Sequence, residues 1–435
     1  MPNAKNRLLA GLTAALLGAG LLAGPPAAAS EGQRAVGDVK KVVFVGNNWD
    51  GTATILDPRT FQQIGRINII PDRSEREMEI ATNPDRLAFF LAVRQEIGEG
   101  HNQYVDDMYS SNDGKLMIVS RPSYADVVAI RLSDGTIKWR FPVSGYRSDH
   151  MAISPDGKTV VVSASTGNVV HALDVQTGEE VGQFPSGDSP HESVFIHHGR
   201  KILHASIGRV YTPTDGTTPA DDTTKGERVF QIVRTSDWKV IRTYNLRKKF
   251  DKAGRPNLAT AVRPLTLSPD ERVVYFQVSF FHGFIKMNLH TGKVKKFVRL
   301  PKLTTEPRQN YVLDSAHHGI AMNPAGTKIC VAGTMDDYAT VVNAKTYHHG
   351  RLIKRDGGKP YWVTQSRDGR YCYISWSGTD KVSRISYRTE RVVTTTKVGD
   401  HPQRVRNAFV ASDLVAGLPD YQPADDVQDF PPLVP

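Results

Sequence analysis

Short apolar and β-branched runs alternate with polar, turn-forming stretches along most of the chain, at a spacing that repeats. Thr159-Val160-Val161-Val162, Asn168-Val169-Val170-His171-Ala172-Leu173 and Arg272-Val273-Val274-Tyr275-Phe276 are runs of strand length. Two kinds of turn separate such runs. The first has the form Ser-Pro-Asp-Gly and begins at Ser111, Ser154, Ser268, Asn323 and Ser366 with small variations, and more weakly at Ile196. The second has the form Asp/Asn-x-x-Thr-Gly, as at Asp174 and Asn288. From the Ser-type to the Thr-type position the interval is 23 residues in five copies, and the copy from Ile196 to Asp237 is 18 residues longer. A repeat of about 43 residues with four short strands is the pattern of a propeller blade. The strands are designated A to D, with the Ser-type turn between A and B.

Six complete copies occupy residues 103 to about 399. Residues 42–70 supply strands B, C and D without an A, and residues 401–408 read as an A strand with nothing after it. The two ends are therefore expected to complete one blade together. The predicted fold is all-β, a seven-bladed propeller over residues 41–410 with no exposed sheet edge to invite aggregation.

Composition narrows the class. With 39% hydrophobic and 23% charged residues, the 435-residue chain is neither disordered nor a polytopic membrane protein, and 36 Gly and 26 Pro suit many turns. Residues 1–30 carry Lys5 and Arg7, an apolar run over 8–22 and the small triplet Ala27-Ala28-Ala29, the pattern of a secretory signal peptide. That predicts a secreted or cell-envelope protein with no transmembrane span in the mature chain. Residues 411–435 read as an acidic, proline-rich tail. The formal charge of +10 falls to +8 without the leader. No long basic block interleaved with aromatics occurs; Arg247-Lys248-Lys249 is read as a solvated loop, and nucleic acid is not an expected partner.

Val42-Val43-Phe44-Val45-Gly46-Asn47-Asn48, Thr54-Ile55-Leu56-Asp57 and Gly187-Asp188-Ser189-Pro190 resemble the YVTN/YncE-like bacterial propeller repeats. The resemblance implies a seven-bladed propeller and is silent on activity, since related propellers include lactone hydrolases, a lyase and a haem-binding domain.

In a propeller the D-to-A and B-to-C connections share one rim. Every long insertion falls in this class: residues 71–102, 211–227, 247–258 and 301–312. A binding or catalytic site is therefore expected on that rim. Residues 83–99 have the apolar spacing of a short helix lying over it, as a lid or a plug. The position five before each Ser-type residue, where strand A enters the channel, is Gln403, Asp106, Asp149, His191, Arg263, His318 and Tyr361 around the ring. All seven are polar or titratable. A solvated lining is the plain account of them, and chemistry is the alternative.

In that alternative, His191, His318 and Arg263, with Tyr361, would serve lactone hydrolysis or a lyase reaction. Asp106, Asp149, His191 and His318 are candidate ligands of a divalent metal ion. Gln403, His317, His401, Trp49, Phe281 and Trp376 are candidate substrate contacts. No nucleophile elbow, phosphate loop, zinc-protease or haem-attachment motif supports catalysis. The leading expectation is a monomeric binding or scaffold protein recognising a small-molecule or cell-wall ligand, or a protein partner, on the long-loop rim. Cys330 and Cys372 fall on strand B of consecutive blades. Packed sheets ~10 Å apart favour two buried free thiols over a bridge.

Overall fold

The computed structural model describes residues 33, 35–208, 225–311, 313 and 315–430. Its strands form seven four-stranded antiparallel sheets. Six are consecutive in sequence. The seventh joins the termini: Pro402–Ala411 is the inner strand, paired with Val39–Asn47 from Val39 opposite Ala411 to Asn47 opposite Pro402. The fold is the expected seven-bladed propeller, closed by both ends of the chain.

Each gap between neighbouring blades holds one apolar cluster, seven in all among the described residues. Inner strands such as Ser148–Ile153 are buried almost throughout, whereas outer ones such as Glu180–Pro185 are largely exposed. The burial gradient follows from wedge-shaped blades that converge on a central axis. The turns recur for a local reason. Asp156 Oδ1 accepts from Ser154 Oγ (2.6 Å) and from the Lys158 N–H (3.1 Å), and Gly157 follows at φ +67°, where glycine carries no steric penalty.

Convergence also overturns the free-thiol expectation. Cys330 and Cys372 form a disulfide, with Cα atoms 6.5 Å apart. The sheet spacing assumed in the sequence argument holds for parallel layers; on second strands near the axis, adjacent blades come closer.

Residues 71–102 contain helices α1 (Arg73–Ala81) and α2 (Pro84–Glu96). Asn83 caps α2 by accepting from the Arg86 N–H at 3.1 Å, and Pro84 fits the first helical position. Arg247-Lys248-Lys249 lies not in a loop but on helix α3 (Leu246–Lys252), anchored by buried Leu246 and Phe250. Beyond residue 417 the chain folds back along the long-loop rim: Tyr104 Oη donates to the Val427 carbonyl (2.7 Å) and Phe90 packs on Phe430. No helix among the described residues is long and apolar enough to cross a membrane.

Candidate functional site

The central channel is built by a recurring irregularity. In four blades the inner strand carries two residues opposite one of its partner: Asp149-His150, His191-Glu192, Arg263-Pro264 and Tyr361-Trp362. The closing blade shifts register at Gln403. Such a β-bulge interrupts the two-residue alternation and bends the strand. Consecutive side chains then reach the channel at two depths.

The upper layer surrounds a cavity of about 20 Å³, the room of roughly one water. All seven ring residues, Gln403, Asp106, Asp149, His191, Arg263, His318 and Tyr361, line it together with Gln103, Arg147 and His150. Ile97 at the end of α2, Ile207 and Leu313 contribute its apolar wall. Arg147 Nη1 lies 2.8 Å from Asp149 Oδ2, and Arg404 Nη2 lies 3.0 Å from Asp106 Oδ1. His318 stacks on Tyr361 with ring centres 4.0 Å apart, and His150 meets His191 at 3.7 Å.

Burial sets the charge states. The Asp106 carboxyl is pushed up to about 8 by desolvation, with Arg404 opposing and Asp149 adding to the rise. Burial also raises Asp149, yet Arg147 and His191 outweigh it and the net direction is down. Burial lowers His150, His191 and His318; neighbouring cations and imidazoles add to the fall at His150 and His318, whereas at His191 the Asp149 carboxylate opposes it without reversing the direction, so the three rings are largely neutral at pH 7.

The lower layer is a partition of Glu192, Trp362 and Arg406. Two guanidinium groups lie over the Trp362 ring, Arg404 at 3.9 Å and Arg406 at 4.8 Å from its centre. Arg406 makes a two-pronged pair with Asp107 (2.8 and 2.7 Å). The Glu192 carboxyl is pushed up to about 8 by burial, against Arg406 and Arg404. Below the partition the channel widens into a funnel of about 320 Å³ that reaches Pro155, His198 and Glu271 in the A-to-B turns. Its wall includes Phe195, Leu265, Ile320, Met322 and Val363; its floor is Glu192, Trp362 and Arg406.

The larger channel opening is thus on the tight-turn rim, opposite the one the insertions indicate. On the long-loop rim Ile97 at the end of α2 lines the cavity, and Gln428 of the chain beyond residue 417 accepts from the Asn102 N–H. Most of the 211–227 insertion lies outside the described residues. His317 is set apart from the ring, held with His282 on the shared Asp336 Oδ2 at 2.9 and 2.6 Å. Trp49 is stacked between His101 and His401, each 3.8 Å away. Phe281 and Trp376, expected as substrate contacts, are instead packed in the gaps between blades, Trp376 fully buried with its indole N–H on Ser383 Oγ.

Counting one position per blade from the Ser-type turn selects a single channel residue where the bulge supplies two, so His150, Glu192, Trp362 and Arg404 were not singled out from the sequence. The signal was present as polar or aromatic doublets at the start of strand A. The funnel wall was missed because its side chains read as ordinary core.

No family model matches the chain, and no curated protein matches it. Among solved structures, Hydrazine Synthase of Kuenenia stuttgartiensis superposes with a TM-score of 0.53 at 15% identity, over 69% of this chain and 88% of that one. At that identity the likeness is one of fold, a β-propeller scaffold, and extends to no activity.

Proposed function

We propose that the protein is an exported β-propeller that binds a small, uncharged amphipathic molecule in the tight-turn mouth of its channel. The observation that carries this is the funnel of about 320 Å³ with an apolar wall and a polar floor, the size and make-up of a ligand pocket. Arg406 is neutralised by Asp107, and Glu192 is largely protonated at neutral pH, so the floor offers hydrogen bonds without net charge. Export is supported by the leader-like residues 1–30 and by the Cys330–Cys372 disulfide, which suits an oxidising compartment.

The long-loop rim is a second candidate face for a wall polymer or protein partner, favoured by the insertions gathered there. Catalysis by His191, His318, Arg263 and Tyr361 is not the favoured reading: the cavity they line has no room for an organic substrate. The YVTN/YncE likeness bears on the fold and favours neither a binding nor a catalytic role.

A thermal-shift and native mass-spectrometry screen of uncharged amphipaths tests the proposal. Ala321→Trp and Thr266→Trp, which fill the funnel, should abolish the hits, and His191→Ala should leave them. Hits that survive both filling substitutions would overturn the assignment.

A further inference from the structure

The upper cavity is separated from the funnel by Trp362 and Glu192, and its side chains pose their own question. His191 Nε2, His318 Nε2 and Asp106 Oδ2 are buried without a hydrogen-bond partner, and His191 Nδ1 has only the Asp149 carboxylate at 3.4 Å. Unpartnered buried polar atoms are costly, so a cluster of them around one small space points to an occupant. One ring nitrogen from each of His150, His191 and His318 lies within 4.8 Å of the others, and Asp106, Asp149 and His150 form a second such group sharing the same imidazole.

We infer that this cavity is a site for one divalent transition-metal ion, held by His150, His191 and His318 with Asp106 and Asp149 beside them. The contact lengths agree. His150 Nε2 lies 3.7 Å from Asp149 Oδ1 and 4.0 Å from Asp106 Oδ2. Those gaps are too long for hydrogen bonds, yet they suit atoms that share an ion at ~2.0–2.2 Å from each.

The other face of each ring is already directed. His150 Nδ1 meets Glu192 Oε2 at 2.5 Å, His318 Nδ1 meets the Tyr361 carbonyl at 3.4 Å, and His191 Nδ1 lies 3.4 Å from Asp149 Oδ2. An oxygen behind the distal nitrogen is how metal-bound imidazoles are oriented. Three imidazoles select a transition metal such as zinc, copper, nickel or cobalt over calcium or magnesium.

Two cations also line the cavity. Arg147 is engaged by Asp149 and Gln103 (2.8 and 3.2 Å), and Arg263 by Ser279 (3.2 and 2.9 Å). Arg147 Nε has no hydrogen-bond partner, so a small anion such as chloride is the competing occupant.

The inference is independent of the funnel and stands if the funnel binds nothing. The test is elemental analysis of the full chain, expressed without a histidine tag in metal-supplemented medium and purified without chelator. A stoichiometric transition metal is expected. It should fall to trace levels in folded His191→Ala and His318→Ala, and persist in His348→Ala/His349→Ala on an exposed turn. Should the ring variants fail to fold, wild-type protein grown with cobalt supplies the second readout, a visible absorption spectrum of imidazole-bound cobalt(II). Wild-type protein without metal, metal retained in folded ring variants, or an anion in the cavity at high resolution would each overturn the inference.

Discussion

His150 Nδ1 lies 2.5 Å from Glu192 Oε2, and both side chains are buried. This contact joins the small upper cavity to the floor of the funnel, since His150 lines the first and Glu192 the second. Glu192→Leu would leave a buried imidazole nitrogen without its partner, at a cost of about 1–3 kcal/mol. Glu192→Gln keeps an oxygen in reach and should cost less. Urea unfolding of the two variants checks the order; equal loss would show that packing matters more than the hydrogen bond.

The disulfide closes a loop of 42 residues between the last two complete blades. Chain entropy assigns such a loop about 4 kcal/mol in the unfolded state. Cys330→Ser/Cys372→Ser is therefore expected to lower the melting temperature by several degrees while the far-ultraviolet circular dichroism stays unchanged. A melting curve indifferent to both reductant and substitution would remove the bridge from the account.

Two buried histidines outside the cavity make the fold acid-sensitive. His204, between Ser186 and Ser193 hydroxyls at 2.8 and 2.9 Å, is lowered to about 3, chiefly by burial. Burial brings His401 down to about 3 as well. Both protonate readily once unfolded, so their stabilising contribution is complete above pH 6.5 and is lost as pH falls below it. Each contributes a slope of about 1.4 kcal/mol per pH unit over that window. His204→Asn should flatten the acid limb of a stability–pH curve. An unchanged slope would mean that His204 is charged in the folded state.

The chain beyond residue 417 ties α1 and α2 to the blades. Arg73 Nη2 donates to the Asp426 and Asp429 carbonyls (2.7 and 2.5 Å), and the Asn102 N–H donates to Gln428 Oε1 (2.7 Å). Truncation after Gly417 should expose Arg86 and Arg94 to trypsin while the blades stay protected, as limited proteolysis read by mass spectrometry would show. Cleavage spread evenly through the blades would instead make this segment part of the folding core.

Legibility in the sequence followed the repeat. The turn spacing carried the number of blades, the closure by residues 42–70 and 401–408, and the seven channel residues, because each depends on counting between fixed punctuation. What escaped depended on three-dimensional departures from regularity. Bulges put Glu192 and Trp362 into the channel, radial convergence brought Cys330 to Cys372, and the inner-strand apolar residues Leu265, Ile320 and Val363 line a funnel although a sequence cannot separate a cavity wall from a core. The segment beyond residue 417 gave no hint of where it docks, since its contacts, a mixture of backbone carbonyls, the Asp420, Asp426 and Gln428 side chains and the apolar Leu418, Val427 and Phe430, follow no repeat.

The central claim, that the channel receives its ligand from the tight-turn rim, is tested most directly by a crystallographic soak with uncharged amphipathic fragments. The account predicts density in the funnel, on the tight-turn side of Trp362, with the polar end near Glu192 and the apolar end against Leu265 and Met322. Fragments found only on the long-loop rim, around Trp49 or α2, with the funnel empty at the same occupancy threshold, would contradict it.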